Sequence, residues 1–230
     1  MSFGTRAGRP TPLAAVLQGK LGQVRQSEDF TTAMVFGTLA WLPFEHGLGP
    51  SLARVEPKLQ GIDNVTHATV ELWPWWDRDT ESKGAEPDVV ITLHRADELP
   101  MVLVVEAKRG AKLGYRQLER QAINGRIVAG QTQHFAGVIY LTEHVGQPPE
   151  FQSERSKMPQ GVQLHWLSWR DLAPVLEDAA HAKTELPDIL RALASDADQC
   201  LKRWNLVRYQ GFATPSPITG WTFPKHQATP

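Results

Sequence analysis

The chain has 230 residues, 41% of them hydrophobic, and a formal net charge of −1 at pH 7. Such a chain can bury a full core and is most simply one domain with extensions. Its single cysteine, Cys200, excludes a disulfide framework and a cysteine-rich zinc site. Because the sequence contains no run of about 18 apolar residues and no signal-peptide pattern, it predicts a soluble, cytoplasmic protein without a membrane span.

Two helices are predicted in the first part of the chain. The first is short and covers residues 11–19, whereas the second covers residues 27–42, with Ser27 as its N-cap. Glu28 and Asp29 fall in the first turn of the second helix, where the positive end of the helix dipole stabilises carboxylates.

Three strands are predicted next, over residues 65–73, 88–94 and 101–108. A turn over residues 95–100 joins the last two, so these two strands form an antiparallel hairpin. The three strands are therefore expected to follow one another as a meander.

The middle of the chain continues with a helix and a strand. The helix is predicted over residues 113–127, with Tyr115, Leu118 and Ala122 on its buried side. The apolar strand over residues 135–141 is typical of a strand that helices cover on both faces of its sheet.

The last part of the chain begins with a polar, proline-bearing segment, residues 144–159, which predicts a loop. A strand is predicted over residues 162–167, and Ser168 with Asp171 predicts a capping box for the helix that follows. Pro187 suits the first turn of a final helix. Apolar residues recur along that helix at helical spacing and are expected in the core: Ile189, Leu190, Leu193, Ala197, Cys200, Leu201 and Trp204.

The hairpin brings together three charged residues, Asp88, Glu106 and Lys108. Positions 88 and 106 lie equally far from the centre of the turn, so an antiparallel register places the two carboxylates side by side. Side chains alternate along a strand, so Glu106 and Lys108 project from the same face. We therefore expect all three groups to converge on one spot.

Two carboxylates about 4 Å apart repel each other by roughly 4 kcal/mol at an effective dielectric constant of about 20, unless a proton or a cation intervenes. A divalent cation resolves this repulsion, and oxygen-only ligation favours Mg²⁺ or Mn²⁺ over zinc. Lys108 cannot be a ligand, but its ammonium can orient a water molecule or offset charge on a phosphoryl oxygen. The alternative is a weak surface ion pair between Glu106 and Lys108, worth under about 1 kcal/mol.

Pro87-Asp88 followed by Glu106-Ala107-Lys108 resembles the signature of the PD-(D/E)xK nuclease superfamily, which has the restriction-endonuclease-like fold. The resemblance implies an α/β protein with a mixed central β-sheet flanked by helices, extended here by extra C-terminal helices. It also implies that Asp88, Glu106 and the Ala107 carbonyl hold the metal ion, and that Lys108 positions or activates the attacking water.

Two further site residues are implied by the same resemblance. Members of the superfamily often carry a metal-binding Glu on the helix before the sheet, and Glu28 is the acid that matches; the alternative is a carboxylate that only stabilises its helix dipole. Many members also carry a Gln in the helix after the Glu-x-Lys strand. Gln117 fits this position, with Gln121 as a substitute one turn later, and the alternative is an ordinary exposed Gln.

A basic stripe follows the predicted site. Lys112, Arg116 and Arg120 are spaced four residues apart, which places them on one face of a helix. Such a stripe is usually a solvated helix face. Its position next to the site favours contact with the phosphates of a nucleic acid.

The domain organisation that follows has four parts. Residues 1–25 form an N-terminal extension and residues 26–143 the nuclease core. Residues 144–210 contribute a strand and helices that pack on the core, and residues 211–230 form a tail rich in proline and glycine.

The expected function is a metal-dependent nuclease that acts on nucleic acid, with DNA favoured, in the context of bacterial defence or mobile elements. The competing interpretation is a non-catalytic module that keeps the fold and binds nucleic acid or a partner protein. An intact site used for repair or junction resolution is a third interpretation. One site cuts one strand, so cleavage of both strands requires a homodimer or sequential nicks.

Overall fold

The computed structural model of the protein describes residues 28–62, 64–76, 85–96, 98–183 and 185–207. A five-stranded mixed β-sheet lies at its centre, with helices on both faces. The α/β class with a mixed, helix-flanked sheet is therefore confirmed. The predicted helix over residues 11–19, the N-cap Ser27 and the tail over residues 211–230 lie outside the described residues.

The strands are arranged in the sheet in the same order as in the chain. The first three are antiparallel, as expected for a meander, and the last three are parallel. Each parallel connection carries at least one helix, as such crossovers require. The strands are β1 Val65–Leu72, β2 Val89–Arg95, β3 Met101–Lys108, β4 His134–Thr142 and β5 Gln163–Ser168.

The helices divide between the two faces of the sheet. A short 3₁₀ turn, Phe44–His46, follows the first of them. They are α1 Glu28–Trp41, α2 Leu48–Leu52, α3 Gln117–Ala129, α4 Phe151–Arg155, α5 Trp169–His181 and α6 Asp188–Arg203. Among the described residues, no helix is long and apolar enough to cross a lipid bilayer.

Strand β3 shows how one sequence builds two cores. Leu103 and Val105 point into the larger apolar cluster, which α1, α5 and α6 complete, whereas Val102 and Val104 point into a second cluster under α3 and α4. This alternation follows from the two-residue period of a strand. Because both faces are covered, nearly every residue of β3 is buried, Glu106 included.

Several local predictions agree with the structure. Ser168 and Asp171 form the predicted capping box at the start of α5. Pro187 directly precedes α6, and Ala197, Cys200 and Leu201 are buried on its inner side. The segment predicted to pack on the core supplies the fifth strand and the last two long helices.

Three local predictions were wrong. Tyr115 is 84% exposed rather than buried, because Arg116 adopts a left-handed conformation with φ 49° and α3 begins only at Gln117. Ile189 is 68% exposed, because the buried stripe of α6 begins one turn after it. The predicted loop over residues 144–159 contains α4, which Phe151 anchors in the second apolar cluster.

Gly137 occupies a position in β4 where both the backbone conformation and the available space exclude a side chain. It lies where the register between β3 and β4 shifts, with φ 142°, and a Cβ atom there would lie 2.3 Å from the Gln163 carbonyl oxygen. Gly137→Ala should lower the free energy of unfolding by about 2–4 kcal/mol, through backbone strain and overpacking together. Urea denaturation measures this loss. Gly146→Ala is the matched control, since a Cβ at Gly146 meets nothing within 4 Å, and an equal loss in both variants would contradict the explanation.

Candidate functional site

The hairpin of β2 and β3 sets the position of the first two acids. Val89 pairs with Val105, so the register that was predicted from the turn is the observed one. Continuing that register by one residue brings Asp88 next to Glu106 at the end of the sheet. The Oδ2 atom of Asp88 accepts the Ala107 backbone N–H at 2.8 Å, which fixes the carboxylate against β3.

Glu106 is a buried carboxylate, only 1% exposed, and both of its oxygens are occupied. Its Oε1 atom contacts the Lys108 ammonium and the Gln117 amide, and its Oε2 atom accepts from the Gln121 amide. Gln117 is itself oriented, because its Oε1 atom accepts the Gly114 N–H at 2.9 Å. The alternative of a weak surface ion pair is therefore wrong, because Glu106 is buried, Lys108 is largely covered, and both belong to a network.

Burial and charge act on the pKa of Asp88 in the same direction. Burial raises this pKa well above its usual range, and the negative charge of Glu106 raises it further. The Lys108 ammonium and the Ala107 N–H oppose both effects without cancelling them. Any additional positive charge nearby would therefore stabilise the ionised form of Asp88.

Lys108 lies between the acids. Its Nζ atom contacts Glu106 and lies 3.6 Å from Oε1 of Glu28 and 3.1 Å from the Ala107 carbonyl oxygen. Burial lowers the pKa of Lys108, but the surrounding carboxylates, with Glu106 first and Asp88 and Glu28 after it, outweigh burial and raise it. The side chain is therefore a firmly charged ammonium at neutral pH.

Glu28 reaches this cluster from the first turn of α1. Its Oε2 atom accepts the backbone N–H of Arg109, directly after β3, and its Oε1 atom faces Lys108. Burial raises the pKa of Glu28, and Lys108 and the Arg109 N–H partly offset that rise. The sequence left open whether Glu28 serves the site or only its helix dipole, and the structure brings its carboxylate to Lys108.

The charges in the cluster do not balance. Glu28, Asp88 and Glu106 supply three carboxylates, and Lys108 supplies one ammonium. When all three acids are ionised, the net charge of the cluster is about −2, which one divalent cation would neutralise. The candidate metal ligands are all oxygen atoms, which Mg²⁺ and Mn²⁺ prefer. The chemistry of the residues therefore fits a hard divalent ion.

The arrangement is not a preformed metal cage. Within the described residues, no three His, Cys, Asp or Glu side chains are grouped so that they could hold a metal ion. The Lys108 ammonium instead contacts oxygens of Glu106, Glu28 and Ala107, which are three of the four residues expected as ligands. A divalent ion would compete with Lys108 for these oxygens, so binding requires the lysine to move.

The predicted basic stripe is not a stripe. Lys112 lies in the exposed segment before α3, and Arg116 precedes the first helical residue, where it forms an ion pair with Glu119. Only Arg120 lies within the helix. The prediction was wrong because residues 112–116 are not helical, so the spacing of four residues does not align their side chains.

Two contacts were not foreseen from the sequence. Gln121 was predicted only as a substitute for Gln117, yet the amides of both residues bind Glu106. The two glutamines are four residues apart on α3 and therefore lie on the same helix face, and this spacing indicated a joint role. The Arg109 guanidinium lies 3.5 Å from the centre of a Trp204 ring, a cation–π contact that links α6 to the end of β3. Sequence spacing carries no information about this second contact.

Comparison with known proteins shows a weak similarity to an uncharacterized bacterial protein. The chain is 24% identical over 207 residues to an uncharacterized protein of Pasteurella multocida (strain Pm70), and the alignment covers 84% of this chain and 75% of that protein. No protein-family model matches the chain, and no solved structure matches it.

The raised pKa of Asp88 predicts a pH-dependent cost to stability. Above the ordinary value of 3.8, the unfolded chain releases this proton more readily than the folded chain does, so stability falls as the pH rises towards the folded-state pKa. Asp88→Asn should therefore raise the unfolding free energy at pH 8 in EDTA by about 0.5–2 kcal/mol.

This gain should shrink strongly as the pH falls to about 4, where the unfolded Asp88 is itself about half protonated. Denaturant melts at pH 8 and pH 4 measure the difference. Asp178→Asn, at an exposed position on α5, is the control and should change little at either pH. A variant of Asp88 that is less stable at pH 8 would contradict this account of the site.

Proposed function

We propose that this protein is a metal-dependent nuclease that hydrolyses phosphodiester bonds of nucleic acid, with DNA as the preferred substrate. The observation that carries the proposal is the convergence of Asp88, Glu106 and Lys108 at the end of one hairpin, with Glu28 reaching the same place from α1. An excess of carboxylates around one charged lysine is costly to a fold and is typical of a functional site.

The order of the elements also supports the proposal. Apart from the 3₁₀ turn and the short α2 that follow α1, the order from α1 to β4 is a helix, three antiparallel strands, a helix and a parallel strand. This is the core order of the restriction-endonuclease-like fold that the Pro87-Asp88 and Glu106-Ala107-Lys108 pattern resembles. The acids lie at the end of β3 from which α3 departs, where loops can admit a substrate.

The proposed metal ligands are Asp88, Glu106, Glu28 and the Ala107 carbonyl, and the ion is Mg²⁺ or Mn²⁺. When bound, such an ion lowers the pKa of water and offsets the charge on a phosphoryl group. Lys108, released from the carboxylate oxygens, would hold the attacking water or the phosphoryl oxygen through its ammonium. It would act as a fixed positive charge rather than as a base, because its neighbours raise its pKa.

The two glutamines have a positioning role in this proposal. Each donates to a different oxygen of Glu106, so the carboxylate is held in one orientation before the substrate arrives. Arg116 is paired with Glu119, whereas Lys112 lines the same cavity as Lys108 and is a candidate for contact with the nucleic-acid backbone, as is Arg120 on α3.

A second candidate is a binding module that keeps this fold without cleaving. The observation in its favour is that the Lys108 ammonium contacts three of the proposed ligand residues, so the network is neutralised in part without any metal. In that case Glu106, Gln117 and Lys108 would serve to dock α3 on the sheet. Metal binding separates the two candidates, since a module has no use for the ion.

The nuclease proposal predicts cleavage that depends on a divalent ion. The purified protein should nick or degrade DNA with Mg²⁺ or Mn²⁺, and EDTA should stop the reaction. Asp88→Asn should bind Mn²⁺ more weakly by about tenfold or more and lose most of the activity, since one ligand charge is removed. Calorimetric titration with Mn²⁺ and a plasmid nicking assay measure both effects. Cleavage by the Asn variant at the wild-type rate would exclude Asp88 as a ligand.

Lys108 separates catalysis from binding. Lys108→Ala should lower the rate of single-turnover cleavage by about 100-fold or more, as removal of one group that stabilises transition-state charge does in other enzymes. Mn²⁺ should still bind to this variant. It should bind more tightly than to the wild type if the ammonium competes for the ligand oxygens. Lys108→Arg should also be slow, because a planar guanidinium cannot replace a compact ammonium. Thermal melting checks the folded state. If the Ala variant loses DNA affinity and rate by the same factor, Lys108 is a binding charge and the module interpretation gains.

A further inference from the structure

A cavity of about 560 Å³ adjoins the acid cluster on the side of β4. Its walls come from the segment 110–113 after β3, the last residues of β4 and the segment 149–154. Lys108 lines this cavity and also contacts Glu106, so the cavity and the proposed catalytic site share one side chain. Whatever enters the cavity therefore lies next to the reacting phosphate of the proposed function.

The volume of the cavity is sufficient for one nucleotide. Its volume falls within the range of small-molecule sites, about 300–1,000 Å³. A base pair stacked inside a duplex cannot enter a concave pocket, whereas a nucleotide that is unpaired or turned out of the helix can. Leu113 and Pro149 provide apolar surface for the flat face of a base.

The charges in the cavity favour a base over a second phosphate. Beside Lys108 and Lys112, its lining includes three carboxylates, Glu143, Glu150 and Glu154. Phosphate would be repelled by these acids, but the N–H donors on the edge of a base would be attracted to them. The cations and the acids together suit a nucleotide whose phosphate faces Lys108 and whose base faces the carboxylates.

Glu154 is paired with Lys157, whereas Glu150 is held by a buried, uncharged side chain. The Tyr140 hydroxyl donates to its Oε1 atom at 2.9 Å, and Tyr140 is only 2% exposed. Burial raises the pKa of Tyr140 and the bond to Glu150 raises it further, so the hydroxyl stays a donor at neutral pH. An ionised carboxylate offers about four acceptor positions, so one bond from Tyr140 leaves Glu150 able to accept from a base.

We propose that this cavity binds one unpaired nucleotide next to the scissile phosphate, and that Glu150 selects bases with an amino group. Guanine presents two neighbouring N–H donors to a carboxylate, and adenine and cytosine present an amino group. Thymine presents one N–H between two carbonyl oxygens, which the carboxylate repels. The inference rests on the proposed function, and it makes the substrate a single-stranded segment, an end or a flipped nucleotide.

Binding of mononucleotides tests the cavity without catalysis. Calorimetric titration of the full chain in EDTA should show deoxyguanosine monophosphate binding about tenfold more tightly than thymidine monophosphate. Glu150→Gln should remove most of this preference while the protein keeps its melting temperature. Glu71→Gln, at an exposed position on β1, should leave the preference unchanged. Ala111→Trp, at an exposed position in the lining, should weaken both nucleotides by filling the cavity.

Cleavage assays distinguish this inference from the proposed function. With Mg²⁺, single-stranded oligonucleotides that contain guanine should be cut faster than oligothymidine, and Glu150→Gln should bring the two rates together. Cleavage of both at one rate, with equal affinity for both mononucleotides, would overturn the cavity assignment and leave the nuclease standing. A clear preference for guanylate in binding, without cleavage of any substrate, would support the cavity and reject the nuclease.

Discussion

The burial of the Glu106 carboxylate is the constraint on which this structure depends. A buried charge costs several kcal/mol unless it is paired and fully hydrogen-bonded. Lys108 provides the pairing from β3 itself, and Gln117 and Gln121 provide the remaining bonds from α3. The first turn of α3 is thereby held to one position over the sheet, because a shift along its axis would leave a carboxylate oxygen without a donor.

The same constraint explains why the site lies where it does. The acids lie where β2 begins and β3 ends, so polar side chains from α1 and α3 can reach this end of the sheet. Three carboxylates with one ammonium remain a local excess of negative charge, which opposes folding. Such an excess is typical of functional sites, and for this reason the cluster supports the proposed function.

Lys108 connects two neighbouring features of the surface. On one side it contacts the carboxylates of Glu106 and Glu28, and on the other it lines the cavity closed by the segments 110–113 and 149–154. A phosphate held by this ammonium would lie between the acids and the cavity. The short helix α4 positions two carboxylates of the cavity lining, because Glu154 lies within it and Glu150 directly precedes it.

The sequence by itself determined the features that depend on neighbours along the chain. The register of the hairpin follows from the two-residue period of its strands and the symmetry of the turn, and the capping box at Ser168 is complete within four residues. These two features are set by local geometry, so a pattern of residue types is enough to predict them. The mixed sheet flanked by helices was instead implied by the resemblance to a nuclease superfamily.

Only the tertiary structure decided which residues meet across the fold. Glu28 binds the backbone of Arg109 across 81 positions of sequence, because α1 packs over one face of the sheet and begins beside the end of β3. Helix α3 begins at Gln117 rather than at the predicted residue 113. The left-handed conformation of Arg116 and the hydrogen bond from the Gly114 N–H to Gln117 outweigh helix propensity there. Lys112 and Arg120 therefore do not share one helix. Such contacts depend on the packing of whole elements, and no spacing within one element encodes them.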